Sequence, residues 1–105
     1  MQRDRVLMML GLARKAGQIA SGGYAVEKAV KEGRASLVIA AEDASDNAKK
    51  KLKDMTSFYN TELIFYGTKE TLAKSIGEEY RTAAAVLSED FARQIRLRLD
   101  EYTTE

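Results

Sequence analysis

The sequence predicts an α/β fold: a three-layer α-β-α sandwich with a four-stranded mixed sheet and about five helices. Three observations carry this. Segments of helical periodicity alternate with short apolar runs to the end of the chain, the order expected of a sheet held between two helical layers. The run Leu37-Val38-Ile39-Ala40-Ala41 is apolar throughout, as in an interior strand covered on both faces. Glycines at 17, 33, 67 and 77 punctuate the segments, and the chain contains no proline.

The first helix is expected over 4–16, with Val6, Leu10 and Ala13 at helical spacing, Leu7 beside them and Gly17 as the stop. Arg14 and Lys15 fall in its last turn. Cations there suit the negative end of the helix dipole, and a contact to phosphate is equally open. A short strand follows over 18–21. The second helix is expected over 23–32, burying Ala25, Val26, Ala29 and Val30 and setting Tyr24, Lys28 and Lys31 as a stripe on the opposite side. Gly33 ends it, and the strand 37–41 comes next.

Glu42-Asp43 and Ser45-Asp46-Asn47 form a polar turn that supplies a cap. The third helix then runs to about residue 59 with Ala48, Leu52, Met55 and Tyr59 on one face and Lys49, Lys50, Lys51 and Lys53 crowding its first half. A strand is expected over 62–66. Thr68 caps a fourth helix over 69–76, with Leu72 and Ile76 turned inward and Gly77 as the stop. The last strand, 82–87, carries Ala83-Ala84-Ala85, and three alanines in a row imply close packing against a neighbouring layer. Ser88 caps the final helix, Glu89 and Asp90 sit in its first turn, and Phe91, Ile95, Leu99 and Tyr102 make its buried stripe. The last three residues are expected to fray.

Composition narrows the chemistry. The 105 residues, 45% hydrophobic and 31% charged, suit one compact domain spanning 1–105. Without cysteine there is neither a disulfide nor a thiolate metal site, and without histidine the commonest general base is missing. No apolar run approaches the ~20 residues needed to cross a bilayer and nothing resembles a signal peptide, so the expectation is a cytoplasmic chain with no membrane segment. The net charge of +1 is unevenly spread: residues 1–34 carry seven Lys/Arg against three Asp/Glu, and residues 78–105 carry four against seven. A basic face can therefore coexist with a near-neutral total.

Catalytic motifs are absent. A Ser-His pair is impossible, and neither Gly11 and Gly17 nor Gly67-Thr68-Lys69 completes a Walker loop. Glu42, Asp43 and Asp46 have the chemistry of hard-cation ligands, but capping and polarising the third helix is the preferred reading. The lysines at 49–53 read chiefly as a solvated face. No catalytic residue, metal ligand or cofactor is assigned.

The stretch Ser21-Gly22-Gly23-Tyr24 is more informative. Glycines allow close backbone approach, a helix N-terminus attracts an anion, and Lys28 and Lys31 extend positive charge along the same face. Tyr24 adds a flat surface for an unstacked RNA base.

Longer blocks then carry a family resemblance: Leu10-Gly11-Leu12-Ala13-Arg14-Lys15-Ala16-Gly17, Ser21-Gly22 with Lys28-Ala29-Val30, and Leu37-Val38-Ile39-Ala40-Ala41-Glu42-Asp43-Ala44-Ser45. They continue as Leu72-Ala73-Lys74-Ser75-Ile76-Gly77 and Arg81-Thr82-Ala83-Ala84-Ala85-Val86. In this order, over about three quarters of the chain, they resemble the small ribosomal proteins and RNA-binding regulators of the L7Ae kind, and within them the bacterial YlxQ-like branch.

The resemblance implies an α-β-α sandwich that binds kinked RNA, the kink-turn, without catalytic activity. It implies that the start of the second helix meets the sheared G·A pairs and that the loop after the fourth helix meets the bulged nucleotides. Gly22 matches the family glycine, Lys28 the family lysine, and Arg81 the arginine that would cover an extruded base. The expected RNA-binding set is Gly22, Gly23, Tyr24, Lys28, Lys31, Arg81 and Thr82, and the expected partner is structured RNA, including ribosomal RNA on an assembled ribosome.

Two departures from the family pattern stand out. Tyr24-Ala25 replaces the Asn-Glu or Lys-Gln whose side chains read the guanines, and alanine cannot make those hydrogen bonds. Glu78 and Glu79 bring negative charge to the second contact loop, where it would oppose a phosphate. With the acidic 78–105 region, these motivate an alternative: a protein-interaction module on the same fold.

Overall fold

The computed structural model describes residues 4–103, with side chains to residue 101. It runs α1 (Arg5–Lys15), β1 (Ile19–Ser21), α2 (Gly23–Lys31), β2 (Leu37–Ala40), α3 (Asp46–Phe58), β3 (Leu63–Phe65), α4 (Lys69–Ser75), β4 (Ala83–Val86) and α5 (Glu89–Thr103). The expected α/β alternation holds throughout, with most element ends drawn in by a residue or so. Thr103 still belongs to α5. The fraying expected beyond it, like the packing of Tyr102, lies outside the described residues.

The caps follow from side-chain chemistry. Leu7 N donates to Asp4 Oδ1 at 3.0 Å, Ala48 N to Ser45 Oγ at 3.2 Å, and Phe91 N to Ser88 Oγ at 3.4 Å. Thr68 and Thr71 form a reciprocal capping box on α4. One expectation is corrected here. Asp43 serves α4 rather than α3, because its Oδ1 accepts from Lys69 N at 2.8 Å.

The four strands lie in the order β1-β4-β2-β3. β4 pairs antiparallel with both β1 and β2, and β2 pairs parallel with β3, so the sheet is mixed. Side chains alternate between faces along a strand, and both faces here are covered. Leu37, Ile39, Ala84 and Val86 pack with Val6 and Leu10 of α1, Leu72 of α4 and Ile95 of α5. Val38, Ala40, Ala83 and Ala85 pack with Val26, Ala29 and Val30 of α2 and with Leu52 and Met55 of α3. Ala84 and Ala85 have no exposed surface. A Val at either position would overpack the layer, at a typical cost of about 1–3 kcal/mol.

Two packing details differ from the sequence stripes. Tyr59 of the expected α3 face is 39% exposed, and the buried residue of that helix is Thr56. Its hydroxyl is satisfied by Leu52 O at 2.7 Å, which lets a polar side chain face the core. On α5, Ala92 is fully buried beside Ile95 while Phe91 and Leu99 are only partly covered. Among the described residues, no helix is long and apolar enough to cross a membrane.

Candidate nucleic-acid interface

Antiparallel pairing of β1 with β4 sets Ser21 opposite Ala84, so the turn into α2 stands beside the loop that leads into β4. Gly22 makes that turn with φ 90° and ψ 153°, a conformation open almost only to glycine. Gly22 is also the N-cap of α2 and has no side chain to accept from the first-turn N–H groups. Those donors are left for an external acceptor. At Gly23 an added Cβ would meet nothing within 4 Å, so the backbone there is open to close approach.

Arg81 reaches this turn from the other segment. Its Nε donates to Ser21 Oγ at 3.2 Å, and a Cβ on Gly22 would lie 3.8 Å from the same nitrogen. Arg81 Nη1 donates to Tyr80 O at 2.8 Å and Nη2 to Glu78 Oε2 at 3.1 Å. The other oxygen of Glu78 accepts from Arg14 Nη1, also at 3.1 Å. Glu78 is thus bracketed by two guanidiniums. This corrects its expected part as a charge facing phosphate: its carboxylate is neutralised locally and fixes Arg81 in place. It also gives Arg14 a partner other than the α1 dipole. Glu79 is exposed.

Gly22, Gly23, Tyr24, Lys31, Arg81 and Thr82 line one cleft of about 1010 Å³ between α2, α3 and the loop before β4. Lys28 is exposed on α2 but does not line the cleft. Tyr24 is 79% exposed at the cleft edge. Lys31 is paired with Glu27 at 3.1 Å, and that hydrogen bond and charge raise its pKa. The stripe expected on α2 is therefore real on the surface, but its three members have different surroundings.

The lysines of α3 divide. Lys49 and Lys53 stand 5.8 and 5.7 Å from the centroid of the Phe65 ring, a cation–π arrangement with the edge strand. Lys50 pairs with Asp54 at 3.2 Å, and Lys51 lines the cleft. Among the described residues, no cluster of three acidic side chains is placed to hold a metal ion.

Sequence reasoning missed part of the cleft wall. Phe58, Tyr59 and Tyr80 line it, and Lys69 Nζ sits 5.2 Å from the Tyr80 ring centroid. The available signal was Phe58, a bulky aromatic at a helix end outside the periodic stripe that takes in Tyr59.

The chain matches the family model described as "Ribosomal protein L7Ae/L30e/S12e/Gadd45 family" over residues 4–95. It is 37% identical over 92 residues to the "RNA-binding protein YlxQ" of Bacillus subtilis, covering 88% of this chain and 92% of that protein. Over 86 residues it is 30% identical to the "Large ribosomal subunit protein eL8" of Halobacterium salinarum, covering 81% and 72%. A solved structure of a Bacillus halodurans protein of unknown function aligns with a TM-score of 0.88 at 34% identity, covering 93% of this chain and 99% of that one. A Giardia lamblia 15.5 kD RNA-binding protein shares the fold at a TM-score of 0.76 and 20% identity, covering 92% and 83%. By these matches the chain belongs to the ribosomal protein L7Ae/L30e/S12e/Gadd45 family, in its bacterial YlxQ-like branch, whose members are RNA-binding proteins rather than enzymes.

Proposed function

We propose that the protein is a cytoplasmic, ribosome-associated RNA-binding protein that recognises kink-turn-like or similarly structured RNA, ribosomal RNA included. The observation that carries this reading is the convergence of Arg81 with Ser21 and Gly22. A guanidinium and a bare helix N-terminus meet at one point, although their residues lie sixty positions apart in the chain. The N–H groups of Gly23 and Tyr24 take a phosphate or base edge, Arg81 covers an extruded nucleotide with Thr82 beside it, and Lys28 and Lys31 follow the backbone along α2. The relatives described as RNA-binding and ribosomal proteins support the same assignment.

A gel-shift titration with a kink-turn RNA at two salt concentrations tests it. Binding tighter than to an unrelated duplex, and weakening with salt, is the expected result. Equal affinity for both RNAs would remove the specificity. The alternative of a protein-interaction module has one observation in its favour, Tyr24-Ala25 at the base-reading positions. Its other motive, the acidic 78–105 region, stands except at Glu78, which is paired with Arg14 and Arg81. Co-purification with and without nuclease separates the two, since RNA-bridged partners disappear on digestion.

A further inference from the structure

Resting on the RNA-binding reading above, we infer that the site continues along α3, where Phe58 and Tyr59, with Tyr24 and Tyr80 facing the same cleft, form a stacking surface for unpaired nucleotides. The chain has five Tyr and three Phe, and four of these eight surround this cleft. Phe58 is 80% exposed and Tyr80 62%. One exposed aromatic is ordinary, but four around one cavity are not scatter. They are not required by the core, whose floor here is closed by Val26, Leu52 and Met55. Phe58 and Tyr59 stand edge to face, centroids 4.9 Å apart and planes at 70°, so they present ring faces in two directions.

Charge selects the occupant. Arg81, Lys31 and Lys51 line the cleft, and its two carboxylates, Glu27 and Asp54, are paired with Lys31 and Lys50 at 3.1 and 3.2 Å. Apolar ring faces beside a cationic edge suit a flat base attached to a phosphate. Gly22, Arg81 and Phe58 all line this one cleft. An RNA strand leaving the kink at Arg81 therefore passes directly onto α3.

The test uses a kink-turn RNA carrying three unpaired adenosines after the kink, and the same RNA made abasic at those positions. The wild-type protein should prefer the intact RNA by roughly 5- to 150-fold per stacked base. Phe58→Ala should remove most of that preference while binding the abasic RNA as the wild type does, with an unchanged salt slope. The ring is exposed, so the variant's melting temperature should stay near that of the wild type, and Phe58→Leu separates lost stacking from lost apolar surface. Full preference in F58A overturns the inference, as does a wild type that binds kinked RNA specifically without distinguishing the two forms. A wild-type dimer dissolved by F58A with RNA preference intact would assign the surface to a second copy, again overturning it. If the wild type binds neither RNA better than a plain duplex, the RNA-binding reading itself fails.

Discussion

Arg81 donates to Ser21 across the mouth of α2, Nε to Oγ at 3.2 Å, and Glu78 holds the same guanidinium from behind at 3.1 Å. The arginine is thus oriented before any ligand arrives, and its half-buried position limits the freedom that binding would otherwise remove.

Arg81→Ala should weaken binding of a kink-turn RNA by roughly 10- to 100-fold, the range of charge-assisted hydrogen bonds. Arg81→Lys should recover only part of this, because an ammonium cannot reproduce the fork that spans Ser21, Tyr80 and Glu78. Gel-shift titration measures the loss, and thermal melting checks that the fold is retained.

Glu78→Gln distinguishes orientation from repulsion. If the carboxylate mainly repelled RNA, its removal would tighten binding. The observed bonds to Arg14 and Arg81 instead predict weakening by about 2- to 5-fold, the scale of a partly exposed ion pair. Glu79→Gln at the neighbouring exposed position should tighten binding slightly or leave it unchanged.

Gly22→Ala should destabilise the fold by about 1–3 kcal/mol through backbone strain, lowering the melting temperature by at least about 4 °C. The cost is conformational rather than steric, since the nearest atom to the added methyl is an ordinary 3.8 Å away. Gly23→Ala, inside the helix and in open space, should be neutral or stabilising by up to about 1 kcal/mol. Calorimetry of the two variants side by side checks the contrast.

Acid should weaken the Arg96 cluster at the start of α5. Arg96 donates to Glu62 Oε1 at 2.6 Å, to Glu89 Oε1 at 2.8 Å and to Ser36 O at 3.4 Å, tying α5 to the entrances of β2 and β3. The bond from Arg96 holds the Glu89 carboxyl below the usual carboxylate range. A depressed carboxyl pKa contributes stability above its unfolded value, and this is lost as pH falls through the folded value. Melting temperatures of wild type and Glu89→Gln should therefore differ at pH 6 and converge below the carboxylate range.

Much of the fold was legible because it obeys local rules. The run at 37–41 fits an interior strand, and Ser45, Thr68 and Ser88 announce their helices by side-chain caps that need no tertiary partner. Gly22 was legible for a related reason, since two glycines before an amphipathic segment mark a special turn. What the chain order could not reveal was which side chains meet across elements. Lys49 and Lys53 look like solvated charge until β3 brings Phe65 beneath them. Glu78 looks like a repulsive charge until the fold sets Arg14 next to it. Phe58 belongs to no buried stripe, so periodicity had nothing to say about it.

β4 lies between β1 and β2 in the sheet, although it is the last strand made. A nascent chain released only as far as α4 contains α2 and its glycine turn, but neither Arg81 nor the strand that joins β1 to β2. On the proposed reading, the RNA site is complete only once β4 has entered the middle of the sheet and brought Arg81 to the start of α2. Under that reading, molecules truncated before β4 should not compete for RNA, and an RNA bridging α2 and Arg81 should stabilise the whole sheet rather than one segment.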